Sequence, residues 1–309
     1  MADKKISELK ELTSAKSAND FLVAVDYSSN QSKKILLADL PLSDAERYST
    51  CPLTVDFRNG VKQTRNITAP LVYNLYYGDD DTLTSIYIGS NVPSIGTSAF
   101  FGCSGLISVT IPNSVTSIAS NAFFGCGSLT SINIPSSVTS IGGGTFRSCT
   151  DLPSITIPSS VTSIGNSAFL RCGSLTSIVV AAGNPNYSST GPLLLNKNGT
   201  ELIAGPGASG DFTIPNSVNI IKYRAFYFCA SLTSITIPDS VTSLEENAFA
   251  QCTILTSITS LAVEAPTLGI NVFAAAPATK IIVPVGSAQS YRDEGDGTKY
   301  GGLTIEEAT

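Results

Sequence analysis

A repeat of 23 residues dominates the sequence and constrains the fold more than any other feature. The stretch from 128 to 149 reads SLTSINIPSSVTSIGGGTFRSC, and closely similar stretches precede and follow it. The repeat is followed most easily through cysteines spaced by 23 residues in two runs, Cys103, Cys126, Cys149 and Cys172, then Cys229 and Cys252. A unit this short cannot bury its own apolar face, so it must stack on its neighbours. The sequence therefore predicts a solenoid of parallel coils.

One unit shows how the side chains are distributed. In LTSINIP, Leu129, Ile132 and Ile134 are expected to face the interior while Ser and Asn face outward, because side chains alternate along a strand. Pro135 ends the strand because it lacks the N–H for the next ladder bond. Glycines at 142–144 permit a tight corner, and a Phe and a Cys close the core. About eight such coils are predicted from 82 to 276.

The unit LTSIxIPxSVTSIGxxAFxxC resembles the BspA-like leucine-rich repeat family, which also occurs in treponemal surface proteins. The resemblance extends from about Leu83 to Glu306 and includes KIIVPVGSAQSYRDEGDGTKYGGLTI, which is similar to the C-terminal cap of that family. It implies a leucine-rich-repeat solenoid of mainly parallel β coils. It also implies adhesion and protein or glycan binding on surfaces, without catalysis and without fixed site residues.

The regular spacing is interrupted once, between Cys172 and Cys229. These cysteines are 57 residues apart, which is one repeat of 23 plus an extra 34. Within the extra piece, LLLN-KNG-TELI predicts a β-hairpin that turns through Asn198 and Gly199. We therefore expect one coil, around 179–207, to carry a hairpin insertion, and it too resembles a variant repeat of the family.

Composition excludes several classes of function. The net charge is −6 and the pI about 4.7, so nothing neutralises phosphates and nucleic acid is not an expected partner. The absence of histidine excludes Ser-His-Asp and Cys-His catalysis and most zinc chemistry, so we expect neither an enzyme nor a cofactor. The sequence has no run of about 18 apolar residues, so no membrane span is predicted. MADKKISELKEL lacks an apolar region, so a secretory signal is not expected either.

The first residues do not fit the repeat. Two apolar strands are predicted, Phe21 to Val25 and Lys34 to Leu37, in a segment too short for its own core. The pattern KISELKELTSA, NDFLVAVD and SKKILLADL resembles the N-terminal segment of structural proteins of tailed bacteriophages, notably head and tail fibres. That resemblance covers about the first 41 residues and implies docking to other virion proteins, commonly as a trimer. The anchoring side chains would be Phe21, Leu22, Val23, Val25, Ile35, Leu36 and Leu37.

The predicted organisation has four parts. Residues 1–47 form a virion-docking or assembly segment, and 48–81 form a linker and N-terminal cap with a possible hairpin at Asn59-Gly60. Residues 82–276 form the solenoid, and 277–309 form a C-terminal cap. Asp79–Asp81 offers hard oxygen ligands for calcium, although three acids that cap an exposed end are the more ordinary interpretation.

Two surfaces of the solenoid are candidates for recognition. One is an outward ladder of strand residues: Tyr87, Thr110, Asn133, Thr156 and Thr236. Its polar groups suit the hydroxyls of sugars, although the alternative is that they only make the strand surface soluble in water. The other is a contact patch in KYRAFYFC, where other coils carry small or neutral residues: Tyr223, Arg224, Tyr227 and Phe228. Tyr, Phe and Arg are favoured at interface centres, although local packing against the hairpin is the alternative. The cysteines are expected to be buried packing residues rather than metal ligands or disulfides.

The sequence leaves two functions open. One is a virion structural protein, a head or tail fibre or a decoration, whose solenoid projects outward and adheres to a bacterial surface protein, a glycan or mucus. The other is a bacterial BspA-like surface adhesin or host-interaction protein. The first is favoured by the N-terminal segment and places the protein in the virion, and the second is favoured by the repeat and places it on the bacterial surface.

Overall fold

In a computed structural model of the chain, the described residues are 84–90 and 92–309, together with strand segments at 23–24, 36–37, 51–57, 62–67 and at Leu83. The chain divides into two compact units, 1–49 and 50–309. In the first unit, two short strands pair antiparallel, with Val23 opposite Leu37 and Ala24 opposite Leu36. Both strands fall within the segments that the sequence predicts to be extended.

The structure has the following elements, in chain order. The strands are β1 (Val23–Ala24), β2 (Leu36–Leu37), β3 (Cys51–Phe57), β4 (Lys62–Ile67), β5 (Leu83–Tyr87), β6 (Ser94–Ile95), β7 (Ser108–Thr110), β8 (Ser117–Ile118), β9 (Ser131–Ile132), β10 (Ser140–Ile141), β11 (Ser154–Ile157), β12 (Ser163–Ile164), β13 (Ser177–Val180), β14 (Tyr187–Thr190), β15 (Leu193–Asn196), β16 (Glu201–Ala204), β17 (Gly210–Thr213), β18 (Ile220–Ile221), β19 (Leu232–Ile237), β20 (Ser243–Leu244), β21 (Ser257–Ser260), β22 (Thr267–Leu268), β23 (Lys280–Val283), β24 (Lys299–Tyr300) and β25 (Leu303–Glu307). The helix α1 (Ala288–Glu294) lies between β23 and β24.

The second unit is a solenoid with two strand-bearing faces. One face carries the longer strands, in sheets of order β4-β3-β5-β7-β9, β11-β13 and β17-β19-β21-β23-β25-β24. The other face carries mostly two-residue strands, in the orders β12-β10-β8-β6 and β14-β15-β16-β18-β20-β22. Equivalent residues pair in parallel, as Ile118 with Ile141 and Ile141 with Ile164. This confirms the solenoid of 23-residue coils, with ten coils from β5 to β25, of which eight begin between 82 and 276.

A stack of phenylalanine rings runs through the interior. The rings of Phe100, Phe123, Phe146 and Phe169 follow one another with centroids 5.4 to 5.8 Å apart and nearly parallel planes. A second stack joins the rings of Phe226, Phe249 and Phe273, at 5.0 and 5.6 Å. Each ring is almost completely buried, so the stack supplies each coil with packing that only its neighbours complete.

Each coil turns through a five-residue corner after its short strand. We define the corners as 98–102, 121–125, 144–148, 167–171, 224–228, 247–251 and 271–275. The first and fifth residues of every corner have positive φ, and the core Phe is the third. In five of the seven corners, the N–H groups of the first, third and fifth residues donate to carbonyls of the next coil, at 2.7 to 3.1 Å, and among the described residues the corners 167–171 and 271–275 lack these bonds. The corners therefore form a third hydrogen-bonded ladder.

The insertion consists of three antiparallel strands, β14, β15 and β16, and its β15–β16 hairpin turns tightly with Gly199 at positive φ. Asn184 anchors it to the preceding coil. Its buried amide Nδ2 donates to the carbonyls of Pro158 and Val161, both at 2.9 Å, and its Oδ1 accepts the N–H groups of Asn186 and Tyr187. Every polar group of this buried side chain is thus satisfied, which holds the insertion in one position.

The C-terminal end is closed by β23, α1 and the β24–β25 hairpin. Tyr291 of α1 is fully buried, and its hydroxyl hydrogen bonds with Ser260 and Ala262 at 2.6 and 2.9 Å. Tyr300 donates its hydroxyl to the carbonyl of Pro266 at 2.6 Å. The two rings meet edge to face at 4.9 Å. These large side chains cover the last coils, and within the described residues no helix is long and apolar enough to cross a membrane.

Candidate functional site

The structure brings the four residues of the predicted contact patch together on one corner. The guanidinium of Arg224 lies between two aromatic rings, 4.8 Å from the Tyr223 centroid and 5.1 Å from the Tyr227 centroid. The rings of Tyr227 and Phe228 stack at 6.4 Å. All four residues are half-buried, so they combine local packing with an accessible edge. Aromatic rings with an interleaved arginine are typical of the centres of binding interfaces.

A cleft of about 400 Å³ adjoins this patch. One wall is the corner 167–171, contributing Ser167 to Leu170, and the other is formed by Tyr223, Arg224 and Tyr227. The floor is formed by the last residues of the inserted coil, including Ala204 and Pro206. The cleft therefore lies where the insertion interrupts the regular coils.

The cleft exists because the inserted coil has a shortened corner. Leu202 pairs in register with Ile221, and the N–H of Gly205 donates to the carbonyl of Ala225, as the core Phe does in a regular coil. Gly205 lies three residues after Leu202, whereas Phe226 lies five residues after Ile221. The corner is thus two residues shorter than the others, and its floor is recessed between full-length neighbours.

The shortened corner also breaks the corner ladder. It bonds to the following coil through Gly205 but not to the preceding one. Among the described residues, the N–H groups of Ser167, Phe169 and Arg171 have no hydrogen-bond acceptor, as in the last corner, 271–275, and unlike their equivalents in the five corners that a full-length corner follows. On the opposite wall, the carbonyls of Tyr223 and Tyr227 have no donor within the same described part of the chain.

Charged groups surround the cleft unevenly. Lys222 Nζ lies 2.6 Å from Glu245 Oε1, and the second oxygen of Glu245 accepts the N–H of Tyr223 at 2.8 Å. Arg171 stacks on the ring of Phe228 at 4.0 Å. The buried Nε atoms of Arg171 and Arg224 have no hydrogen-bond partner, and neither guanidinium has a carboxylate partner among the described residues. The site therefore presents two cations that no carboxylate of the described residues neutralises.

The outward ladder is arranged as a strip along the first strand face. Tyr87 pairs with Thr110 in register, and Thr156 pairs with Val179. Tyr87, Thr110, Asn133 and Thr156 are exposed, whereas Thr236 is half-buried. Exposed Val179 continues the strip at 49% exposure, so the surface is less uniformly polar than the sequence indicated.

The cysteines behave as buried packing residues. The six thiols of the repeat are free and buried, and each of Cys126, Cys149, Cys172 and Cys252 donates to the carbonyl of the core Phe one coil earlier, at 3.0 to 3.3 Å. Burial raises the pKa of the Cys126 and Cys172 thiols from 9.0 to about 12. In the described part of the chain, no group of three or more His, Cys, Asp or Glu side chains is placed to hold a metal ion.

Several predicted sites lie outside the described residues. They are the possible calcium ligands Asp79–Asp81 and the anchor residues Phe21, Leu22, Val25 and Ile35. The backbones of Val23, Leu36 and Leu37 belong to the β1–β2 pair.

Sequence reasoning missed the wall at 167–171 and therefore the cleft itself. The sequence signal that could have revealed it is the number of positions between structurally equivalent residues in the inserted coil and in a regular coil. Six residues separate Leu202 from Ala208, whereas eight separate Ile221 from Cys229. That deficit is visible only when the two segments are aligned, and the glycine-rich AGPGA segment obscures the alignment.

Comparisons with known proteins agree with the architecture. A family model described as BspA type leucine rich repeat region matches the chain in six copies, over residues 72–189 and 209–291. No curated protein sequence gives a significant match.

Among solved structures, a leucine-rich repeat protein from Eubacterium ventriosum has 22% identity and a TM-score of 0.55, over 85% of this chain and 83% of that one. The pneumococcal vaccine antigen PcpA has 18% identity and a TM-score of 0.52, over 76% and 72%. Both likenesses show a shared fold.

Proposed function

We propose, from the premise that this chain belongs to the BspA type leucine-rich repeat family, that it is a non-enzymatic adhesion protein displayed on a surface. Its solenoid is a rigid scaffold, and it binds a protein or glycan on the partner surface. The family resemblance supports adhesion, and no catalytic family is indicated.

The observation that carries the proposal is the patch of Arg224, Tyr223 and Tyr227 beside the cleft. Regular coils repeat the same residues, so a surface that must recognise one partner needs a departure from the repeat. The structure has such a departure at the insertion, and there an arginine lies within about 5 Å of two tyrosine rings. Rings and guanidinium offer stacking to sugars and anchoring contacts to proteins alike.

Binding of the full chain to a glycan array, to mucin-coated surfaces and to intact bacterial cells tests this proposal. The patch variant is Arg224→Gly with Tyr227→Ala. Gly is tolerated at 224 because Gly144 has the same positive φ in an equivalent corner. The matched control is Tyr87→Ser with Asn133→Ser, on the outward ladder. Loss of at least tenfold in the patch variant alone supports the patch. Loss in the ladder variant alone moves the binding surface to the strands, and no binding by any form refutes adhesion.

The virion role is a second candidate, supported by the resemblance of residues 1–41 to tailed-phage fibre proteins. Its partners would be other virion proteins and copies of the chain itself. Light scattering of the full chain beside a chain that starts at Thr82 tests it. A trimer that becomes a monomer on truncation supports a fibre with an N-terminal assembly segment. Monomers in both cases argue against that role and leave the adhesin.

A further inference from the structure

The cleft beside the contact patch has the properties of a slot for a polypeptide segment. Wherever a full-length corner follows, three N–H groups of a corner bond to it. At corner 167–171 the same three donors are unused, and they are spaced by two residues, as a neighbouring backbone would require. Phe169 is 1% exposed, so its unpaired N–H is buried. Orphaned buried N–H groups are rare in native proteins, because each costs about 1–3 kcal/mol.

The opposite wall completes the pattern. The carbonyls of Tyr223 and Tyr227 are unused acceptors on the corner that follows the cleft. A guest that offers carbonyls to one wall and N–H groups to the other must carry both at regular spacing. A polypeptide backbone does this, whereas a glycan has hydroxyls without such a repeat. Backbone pairing of this kind is a common way for proteins to capture peptide segments.

The charges select among polypeptides. Arg171 and Arg224 stack on Phe228 and on the two tyrosines, and neither is neutralised by a carboxylate of the described chain. A carboxylate held by guanidinium groups at a partly buried site gains a charge-assisted hydrogen bond. Glu201 also lines the cleft, and it disfavours a guest with acids along its whole length. One or two acidic residues near the arginines fit best.

We propose that the cleft binds a short acidic polypeptide segment of a partner protein, whose backbone takes the place of the missing corner. The inference rests on the proposed adhesive function and specifies its partner. The guest backbone bonds to the N–H groups of Ser167, Phe169 and Arg171, and its carboxylate lies against Arg171 or Arg224.

A library of random dodecapeptides displayed on phage tests this proposal on the full-length chain. The blocked variant is Ala204→Phe, which fills the floor of the cleft, and the matched control is Ala182→Phe, at an exposed position outside it. Peptides are selected on the natural chain and counter-selected on the blocked one. We expect acidic sequences whose synthetic peptides bind at least tenfold more weakly to the blocked chain and equally well to the control.

Amide hydrogen exchange provides the second readout. A bound synthetic peptide should slow exchange at Phe169 and Arg171, and Arg224→Gly should weaken acidic peptides at least tenfold without unfolding the chain. The proposal is overturned if no sequence survives counter-selection, or if the selected peptides leave both amides unprotected. If Ala204→Phe unfolds the chain, the exchange and Arg224→Gly results decide alone. If cells or glycans still bind the blocked variant, adhesion stands and the peptide slot does not.

Discussion

The guanidinium of Arg171 lies 4.0 Å from the ring centroid of Phe228, although a whole coil with its shortened corner separates the two corners in sequence. This contact joins the regular coils before the insertion to those after it. Both residues occupy the fifth, positive-φ position of their corners, where Gly102 and Gly125 occur in other coils. Each can therefore be replaced by glycine without opposing the backbone.

We predict a coupling free energy of about 0.5–2 kcal/mol between Arg171 and Phe228. It is measured by urea unfolding of Arg171→Gly, Phe228→Gly and the double variant. Ser148→Gly is the control, because it makes the same backbone change without a ring contact. That variant should be neutral or stabilised by up to about 1 kcal/mol, since glycine relieves the left-handed strain. Additive effects in the cycle would show that the stacking contributes nothing.

Gly207 is predicted to be intolerant of substitution by alanine. A Cβ at this position would lie 2.0 Å from the carbonyl oxygen of Leu175, a backbone atom that cannot move aside cheaply. Gly207→Ala should therefore lower the free energy of unfolding by about 1–3 kcal/mol, an amount typical of overpacking, and lower the melting temperature accordingly. Gly173→Ala is the matched control, because nothing lies within 4 Å of its added Cβ. Equal melting temperatures for the two variants would contradict the close packing of the inserted coil.

Asn184→Ala should destabilise the insertion by about 2–3 kcal/mol or more, because it leaves the buried carbonyl of Val161 and two N–H groups without partners, whereas the carbonyl of Pro158 keeps the N–H of Val161. Asn186→Ala is the comparison. Asn186 is exposed and its side chain makes one hydrogen bond, to the carbonyl of Thr162, so its loss should cost about 1 kcal/mol. Urea unfolding gives both values, and a small effect at Asn184 would mean that the hairpin is held by its leucines alone.

The buried thiols predict a loss of stability at alkaline pH. The pKa of Cys126 and Cys172 rises from 9.0 to about 12 on folding, so both states keep the proton below pH 9. Above pH 9 the thiols of the unfolded chain lose their protons first, so the unfolded chain binds fewer protons than the folded chain. Stability therefore falls as pH rises, by up to about 1.4 kcal/mol per pH unit for each such thiol.

Unfolding free energies between about pH 8.5 and 9.5 measure this slope while the unfolded chain still keeps most protons of Tyr291 and Tyr300, whose pKa values are raised from 10.0 on folding. Cys126→Ala lowers stability at every pH because it removes a packing group. Its diagnostic effect is a shallower slope, by the share of one thiol. An unchanged slope would mean that this thiol titrates alike in both states.

The coils could be predicted from the sequence because the 23-residue repeat determines which residues of neighbouring coils pair. Ile118, Ile141 and Ile164 are 23 residues apart and pair directly. The patch at Tyr223 and Arg224 was also predictable, because it departs from the repeat. The cleft was not, because it arises from residues that are missing rather than present. The N–H of Phe169 lacks an acceptor because the corner of the following coil is shortened, and the identity of residue 169 does not reveal this.

The interruption of the corner ladder has a mechanical consequence. In a regular solenoid, a force that pulls the ends apart is shared by two strand faces, the corner ladder and the ring stack at each junction. At the insertion the corner ladder has no bond to the preceding coil, and Gly205 contributes no ring to the stack. We expect this junction to yield first under tension, and the stacked contact of Arg171 with Phe228 lies across it. A peptide bound in the cleft would span the same junction, so binding of a partner would also reinforce the solenoid against tension.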